Sequence, residues 1–245
     1  MDRFPLHHRT RGSTFIMPAA RSIDPRTLPA YSLPEAAHYL GMPLATLRDW
    51  AVGRRQASPA RQRFKPVLAI PRGPSSRLSF VNLVEAHVLD GLRRQDRISL
   101  QKIRIAMDYL RREFGSEHPL AEHRIRTDGL DLFVERYGDL LTISKAGQVG
   151  MKEVLSTYLR RVEWDRSGAA RLYLFTRHRQ AAEPRTVVID PAVAFGRPVL
   201  VGTGIPTAVI AERYKAGESM EDLASDYRIA REKVEEAIRC ELEAA

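Results

Sequence analysis

Residues 186–245 read TVVIDPAVAFGRPVLVGTGIPTAVIAERYKAGESMEDLASDYRIAREKVEEAIRCELEAA. The β-branched run Val187-Val188-Ile189 reads as a short strand. A loop punctuated by Gly and Pro follows, and then three short helical patterns. Pro206 suits the first turn of a helix, where its missing N–H would be unpaired in any case. Val209, Ile210 and Tyr214 recur at helical spacing, and Gly217 is placed to stop that helix in a left-handed conformation. Ser219 with Asp222 three residues on has the pattern of a capping box, with Asp for the usual Glu. Leu223 and Tyr227 continue the second helix inward. A third helix from about Arg231 carries Val234, Ala237, Ile238 and Glu241 on one side. Three short helices with tight turns form a helix-turn-helix-like bundle.

Four groups of residues in this stretch carry a resemblance. They are Asp190-Pro191, Gly196-Arg197-Pro198-Val199, Gly202-Thr203-Gly204-Ile205-Pro206 and Gly217-Glu218-Ser219. Together they resemble a small bacterial domain of the VapB antitoxin class. Gly204 departs from the family pattern, which usually has a basic residue there. The resemblance implies a VapC-type ribonuclease partner, magnesium-dependent and built on a carboxylate cluster. It also implies that such an enzyme is silenced by covering its groove, often with an arginine paired to the carboxylates. Arg197, Arg228 and Arg239 are the candidates for that pairing. Pairing with this module's own acids is the alternative for each.

Composition bounds the remainder. At 245 residues the chain is long enough for two or three domains. No apolar run is long enough to span a bilayer, and the start lacks the continuous apolar core of a secretory signal. The single cysteine, Cys240, excludes an internal disulfide, fits a reducing cytosol, and reads as a small, partly buried residue. Residues 1–30, rich in Pro and Arg, read as a flexible arm, and Met17 is an alternative start.

Charge divides the chain. Residues 181–245 hold 8 basic and 12 acidic side chains, a net of −4, which leaves +13 on residues 1–180. An acidic module repels phosphates, so the C-terminal segment is expected to contact protein. Residues 48–77 hold eight basic residues (Arg48, Arg54, Arg55, Arg61, Arg63, Lys65, Arg72 and Arg77) against one acid, Asp49. Such a cluster is expected where phosphates bind. A solvated, arginine-rich loop is the alternative.

The sequence around the cluster, YSLPEAAHYLGMPLATLRDWA over residues 31–51, favours nucleic acid. Ser32 and Glu35 form a candidate capping box. Leu33, Ala36, Ala37 and Leu40 line one helical face, Gly41 breaks the helix, and Pro43 starts the next with Leu44, Leu47 and Ala51 inward. In this helix-turn-helix the second helix, about Pro43 to Trp50, would enter the major groove. Ala45, Thr46, Arg48 and Asp49 point outward, and Trp50 packs as core. Val67–Ile70 and Arg77–Phe80 read as two strands of a wing joined by a Pro/Gly/Ser turn. Two helices follow, one with Val81, Val84, Val88 and Leu92, the other with Ile103, Ala106, Met107, Leu110 and Phe114. This order resembles the DNA-binding domain of MerR-type regulators over residues 31–114. Such proteins read paired half-sites, so a homodimer is expected, with Leu100–Phe114 the first candidate surface and residues 121–180 the second.

In the middle, residues 124–127, 132–136 and 140–143 read as short strands with a turn at Tyr137-Gly138-Asp139. Met151–Trp164 reads as a helix, Leu172–Phe175 as a strand, and residues 177–184 as a linker. The fold class is therefore α+β and mostly helical. It comprises a winged helix-turn-helix at 31–120, a mixed α/β connecting or dimerisation segment at 121–184, and a three-helix domain with a leading strand at 185–245.

Signs of catalysis are thin. His118 and His123 are five apart with no accompanying Cys or carboxylate ladder, so no metal is expected, and no cofactor is implied. The acids Glu218, Glu221, Asp222, Asp226, Glu232, Glu235 and Glu236 read as a solvated face. Three functions remain in order. The first is a non-enzymatic antitoxin in the cytoplasm, contacting operator DNA and a toxin. The second is a stand-alone regulator sensing a small molecule through the middle segment. The third is a nucleic-acid enzyme.

Overall fold

The computed structural model describes residues 23–53, 65–95, 100–126, 128–141, 145–177, 179 and 182–242. Helix α1 (Leu33–Tyr39) begins at Ser32, whose hydroxyl accepts the Glu35 N–H while the Glu35 carboxylate accepts the Ser32 N–H at 2.8 Å. Both halves of the capping box form, satisfying two donors that the first turn would leave unpaired. Gly41, at φ +53°, turns the chain into α2 (Leu44–Val52). Ala36, Ala37, Leu47, Trp50 and Ala51 are buried where the helices cross. Leu44 was expected inward but is 38% exposed; it lies at the open end of α2 and lines a groove beside α1.

The wing does not form as two paired strands. The N–H groups of Val67 and Leu68 both donate to the Trp50 carbonyl, at 2.8 and 3.0 Å, which tucks both side chains into the core. Leu78 bridges back to Tyr31 instead of to residues 67–70. Phe80 starts a helix, because Ser79 and Asn82 cap it reciprocally: the Ser79 hydroxyl accepts the Asn82 N–H, and Asn82 Oδ1 accepts the Ser79 N–H at 3.1 Å. That helix, α3 (Phe80–Gln95), is buried on all sides over most of its length. Asn82, Glu85, His87 and Asp90 are buried along with Leu83, Val84, Val88, Leu89 and Leu92. Each of these four side chains has a partner, as burial requires, although Oε1 of Glu85 is left without one. Asn82 donates to the Ala69 carbonyl at 2.9 Å, and the His87 ring meets the Tyr158 carbonyl at 3.1 Å.

Helix α4 (Leu100–Phe114) buries Ile103, Ala106, Met107 and Leu110 against α5 (Asp128–Leu141) within the chain. Its apolar face is thus already covered, which removes it as the first choice of dimer surface. The three strands expected over 124–143 are absent from the described residues. His123–Arg126 is a 3₁₀ turn, and α5 runs straight through Tyr137-Gly138-Asp139. Leu130, Phe133 and Val134 are buried at i, i+3 and i+4, the helical period, although the run Leu-Phe-Val imitates a strand locally. Helix α6 (Lys145–Leu159) packs on α3 and α5 and ends before Trp164.

One antiparallel sheet follows, in the order β1 (Val162–Asp165), β2 (Gly168–Tyr173), β3 (Val187–Ile189) and β4 (Val199–Leu200). Leu172 pairs with both Val162 and Ile189, so the strand that opens the last sixty residues extends the hairpin of the middle segment. The buried guanidinium of Arg161 braces this junction, donating to the carbonyls of Tyr173, Leu174, Glu183 and Pro184. Burial lowers its pKa to about 10.

The expected bundle completes the chain as α7 (Thr207–Lys215), α8 (Met220–Tyr227) and α9 (Arg231–Glu241). Gly217 stops α7 at φ +102°. At α8 the Ser219 hydroxyl accepts the Asp222 N–H at 3.0 Å and donates to the Asp222 carboxylate at 2.7 Å. Asp, one methylene shorter than Glu, takes the hydroxyl here. Cys240 is buried beside Val234, Ala237 and Ile238, and burial pushes its thiol up to about 12. Among the described residues no helix is long and apolar enough to cross a membrane.

Candidate functional site

The first candidate surface is the outer face of α2. Its inner face is fixed by Leu47, Trp50 and Ala51, and Trp50 at 2% exposure is core as expected. Helical geometry then turns Ala45 and Arg48 to solvent, with Thr46 and Asp49 half-buried at the edges. Lys65 and Arg72 are exposed nearby in sequence. The Arg104 and Arg111 guanidinium groups on α4 donate to the carbonyls of Lys65 and Val67, fastening the segment that follows α2. Arg77 differs from the others. It donates to the Ala30 carbonyl and lies 3.8 Å from Glu35, so it braces the entry to α1. Arg54, Arg55, Arg61 and Arg63 lie outside the described residues.

The turn between α1 and α2 is held by a residue that sequence reasoning left in a linker. The Arg179 guanidinium donates to the carbonyls of Leu40 and Gly41, each at 2.7 Å, and to the Asp90 carboxylate at 2.6 Å. Asp90 is 1% exposed and is also met by Arg93 at 3.4 Å. The Arg179 backbone is in turn fixed by Glu183, whose carboxylate accepts the N–H groups of Thr176, Arg177 and Arg179 at 2.5, 2.7 and 2.7 Å. Thr176, Arg177 and Arg179 thus converge on one carboxylate, and the Arg179 side chain docks on the helix-turn-helix. The available signal was Asp90 itself, an acid between Leu89 and Leu92 in an apolar helix.

The second candidate surface is the C-terminal module. The Arg197 side chain is exposed and has no hydrogen-bond or ion-pair partner among the described residues; the same holds for the side chain of Arg228, whose backbone closes α8 at φ +53°. Arg239 is committed to Glu236 at 3.0 Å and Glu235 at 3.6 Å. Glu236, expected on a solvated face, is buried instead, and it gathers Arg177, Arg239 and the Thr176 hydroxyl. Burial opposes its ionisation, but these partners outweigh it and hold its pKa below the usual carboxylate value. Residue 236 falls on the inner side of α9 between Val234 and Ile238, a position that charge alone disguised.

His118 does not join His123 in a ligand set. Its Nδ1 meets the buried Glu85 carboxylate at 3.0 Å. Burial opposes protonation, but the hydrogen bond and charge of Glu85 raise the His118 pKa above its ordinary value. Fully buried His87 goes the other way, lowered by burial to about 3. Among the described residues no group of three or more His, Cys, Asp or Glu is placed to hold a metal ion.

Residues 29–107 match the family described as "Putative DNA-binding HTH domain", and residues 187–239 match "Protein of unknown function (DUF433)". The N-terminal unit is accordingly a helix-turn-helix domain. Over 228 residues the chain is 32% identical to the "Putative antitoxin VapB45" of Mycobacterium tuberculosis (strain ATCC 25618 / H37Rv), covering 86% of this chain and 93% of that protein; it belongs to the VapB45 family. It is 25% identical over 217 residues to the "Uncharacterized protein Rv2308" of the same organism, covering 85% of this chain and 88% of that one. The X-ray crystal structure of Rv2018 from Mycobacterium tuberculosis superposes with a TM-score of 0.65 at 27% identity, over 86% of this chain and 98% of that chain.

Proposed function

We propose that the chain is the antitoxin of a type II toxin–antitoxin pair. It binds operator DNA as a homodimer through α2 and the basic residues around it, and it silences a VapC-type ribonuclease by direct contact. The observation that carries this reading is a helix-turn-helix whose second helix turns Arg48 to solvent, in a chain of the VapB45 family. The charge division supports it, since the +13 segment suits phosphates and the −4 segment suits a protein partner. Thr46 and Arg48 are assigned to base edges. Arg54, Arg55, Arg61, Arg63, Lys65 and Arg72 are assigned to phosphates, and Arg77 contributes from its bracing position. With the α4 face covered, the dimer surface is assigned to residues 121–180, where Val149 on α6 is exposed. Arg197 and Arg228 lead Arg239 as partners for toxin carboxylates, because Arg239 is already paired. The reading gives this chain no catalytic role and places it in the cytoplasm.

Co-expression with the adjoining gene tests the proposal. A small ribonuclease retained on the tagged chain through size exclusion, with a complex that still shifts its operator, supports it. A neighbouring product that never associates, or an operator that is not bound, counts against it.

A further inference from the structure

Phe195 is 97% exposed, although its side chain is among the most apolar available. It sits on a turn in which Ala194, Phe195 and Gly196 have φ of 47°, 56° and 76°. Left-handed backbone is unfavourable for any residue with a Cβ, and two such residues in succession are rare. The turn is nevertheless held firmly. The Val193 N–H donates to the Asp190 carbonyl at 2.9 Å, Gly196 to Val193 at 2.9 Å and Arg197 to Ala194 at 3.1 Å. The Asp190 carboxylate accepts the Ala192 N–H at 2.8 Å and Arg171 Nε at 2.7 Å. From the other side, the Tyr31 hydroxyl donates to the Gly196 carbonyl at 2.9 Å, and a Cβ on Gly196 would come within 2.5 Å of that hydroxyl oxygen.

The chain therefore maintains a strained, braced turn whose effect is to hold an aromatic ring in water. Burying the ring against this chain would offset the strain, yet that does not happen, so the gain has to come from outside. Strain kept in this way points to a binding role. Two residues on, the Arg197 side chain is exposed and makes no hydrogen bond or ion pair among the described residues, its charge reaching Glu35 only at longer range. Aromatic and arginine side chains are the enriched anchors of protein interfaces, and a rigid turn presents them at little entropic cost.

We propose that Phe195 is the anchor this chain inserts into an apolar slot on its ribonuclease partner, with Arg197 meeting a carboxylate at the rim of that slot. The choice of occupant rests on the antitoxin reading and on charge: an unpaired cation beside the ring fits an enzyme centred on carboxylates. DNA is disfavoured, because the turn belongs to the acidic module.

The test titrates the purified ribonuclease from the adjoining gene with wild type, F195A, F195G and F195W. Operator affinity, melting temperature and light-scattering mass are measured on each. F195A is expected to weaken ribonuclease binding by about thirtyfold or more, the loss that defines a hot spot, with operator affinity and mass unchanged. F195G relieves the left-handed backbone, so it raises the melting temperature while losing the partner; a merely structural residue would not separate the two. F195W retains binding, and its fluorescence shifts to the blue as the complex forms. Undiminished binding by F195A overturns the inference while leaving the antitoxin reading in place. Loss of operator affinity instead assigns the turn to DNA, and a fall in mass assigns it to self-association; either result overturns the inference. If the wild type itself does not bind the ribonuclease, the antitoxin reading fails and this occupant fails with it.

Discussion

Replacing Arg179 with alanine is expected to weaken the fold far more than its place in a presumed linker suggests. The guanidinium makes three contacts of 2.6–2.7 Å, one to a carboxylate with 1% of its side chain exposed and two to the carbonyls that end α1. Breaking a buried ion pair by removing one partner costs roughly 3–5 kcal/mol, because the other charge stays buried. Here Arg93 remains 3.4 Å from Asp90 and compensates in part, so the low end, about 3 kcal/mol, is expected. For a chain of this length, about 2–4 °C is lost per kcal/mol, giving a fall of roughly 6–12 °C in melting temperature. Removing Asp90 instead leaves Arg179, 17% exposed, still bonded to two carbonyls, so D90A should cost less than R179A. The double mutant should cost less than the sum of the two, the mark of direct coupling. R179K keeps the charge but not the planar fork and should fall between wild type and R179A. Urea unfolding of the four variants gives the energies, and thermal melting of the same variants gives the temperature shift. A cost for R179A within about 0.5 kcal/mol, the range of ordinary surface substitutions, or strictly additive costs, would refute the reasoning.

Three further outcomes follow from other parts of the chain. R54A/R55A should bind all DNA sequences more weakly and flatten the salt dependence by about one unit of slope per lost phosphate contact, whereas R48A or T46A should alter sequence preference; an unchanged slope removes Arg54 and Arg55 from the interface. His118 gains protonation in the fold through Glu85, so its contribution is fully present below the ordinary value of 6.5 and is lost as pH rises through the raised folded value. H118Q should abolish that part of the pH dependence of unfolding, and an unaltered profile across neutrality rules the pair out as its source. G41A should cost roughly 1–2 kcal/mol from its left-handed backbone, plus displacement of the Arg179 guanidinium, into which the added Cβ would run; calorimetric melting reads this, and a neutral result contradicts the described turn.

What was legible in the sequence is what local chemistry decides. Ser32 with Glu35, Gly41, Gly217 and Ser219 with Asp222 each satisfy or end a helix within a few residues, so their pattern is enough. The face of α2 was readable for the same reason, since Leu47, Trp50 and Ala51 share one side of a helix whatever lies beneath. Reading failed where two periods overlap or where the partner is distant. Leu132-Phe133-Val134 looks like a strand, and only packing on α4 and α6 selects the helix. Arg77-Leu78-Ser79-Phe80 looks like a returning strand until Ser79 and Asn82 are seen as a reciprocal cap. Leu44 has an inward position on its helix but lies at the open end of α2, beside a groove. Besides local contacts, Arg179, Arg161 and Glu236 take partners 12 to 139 residues away, and no spacing rule reaches that far. The candidate residues divide in the same way. Arg48 was found from its helix alone, and Arg239 pairs with Glu235 and Glu236 at local helical spacing, the alternative open to it in the sequence, whereas the structural role of Arg77 needed Ala30 in place.

The central claim is that this chain silences a ribonuclease by occupying it, and a titration of enzyme activity tests it most directly. Ribonuclease from the adjoining gene is held at a concentration well above the dissociation constant of the complex, and cleavage of a fluorogenic RNA is followed as full-length chain is added. The account predicts a linear fall to no activity with a sharp end point at a fixed molar ratio, and a delayed end point for F195A. Activity that stays constant under a large excess of correctly folded, operator-binding chain would contradict it.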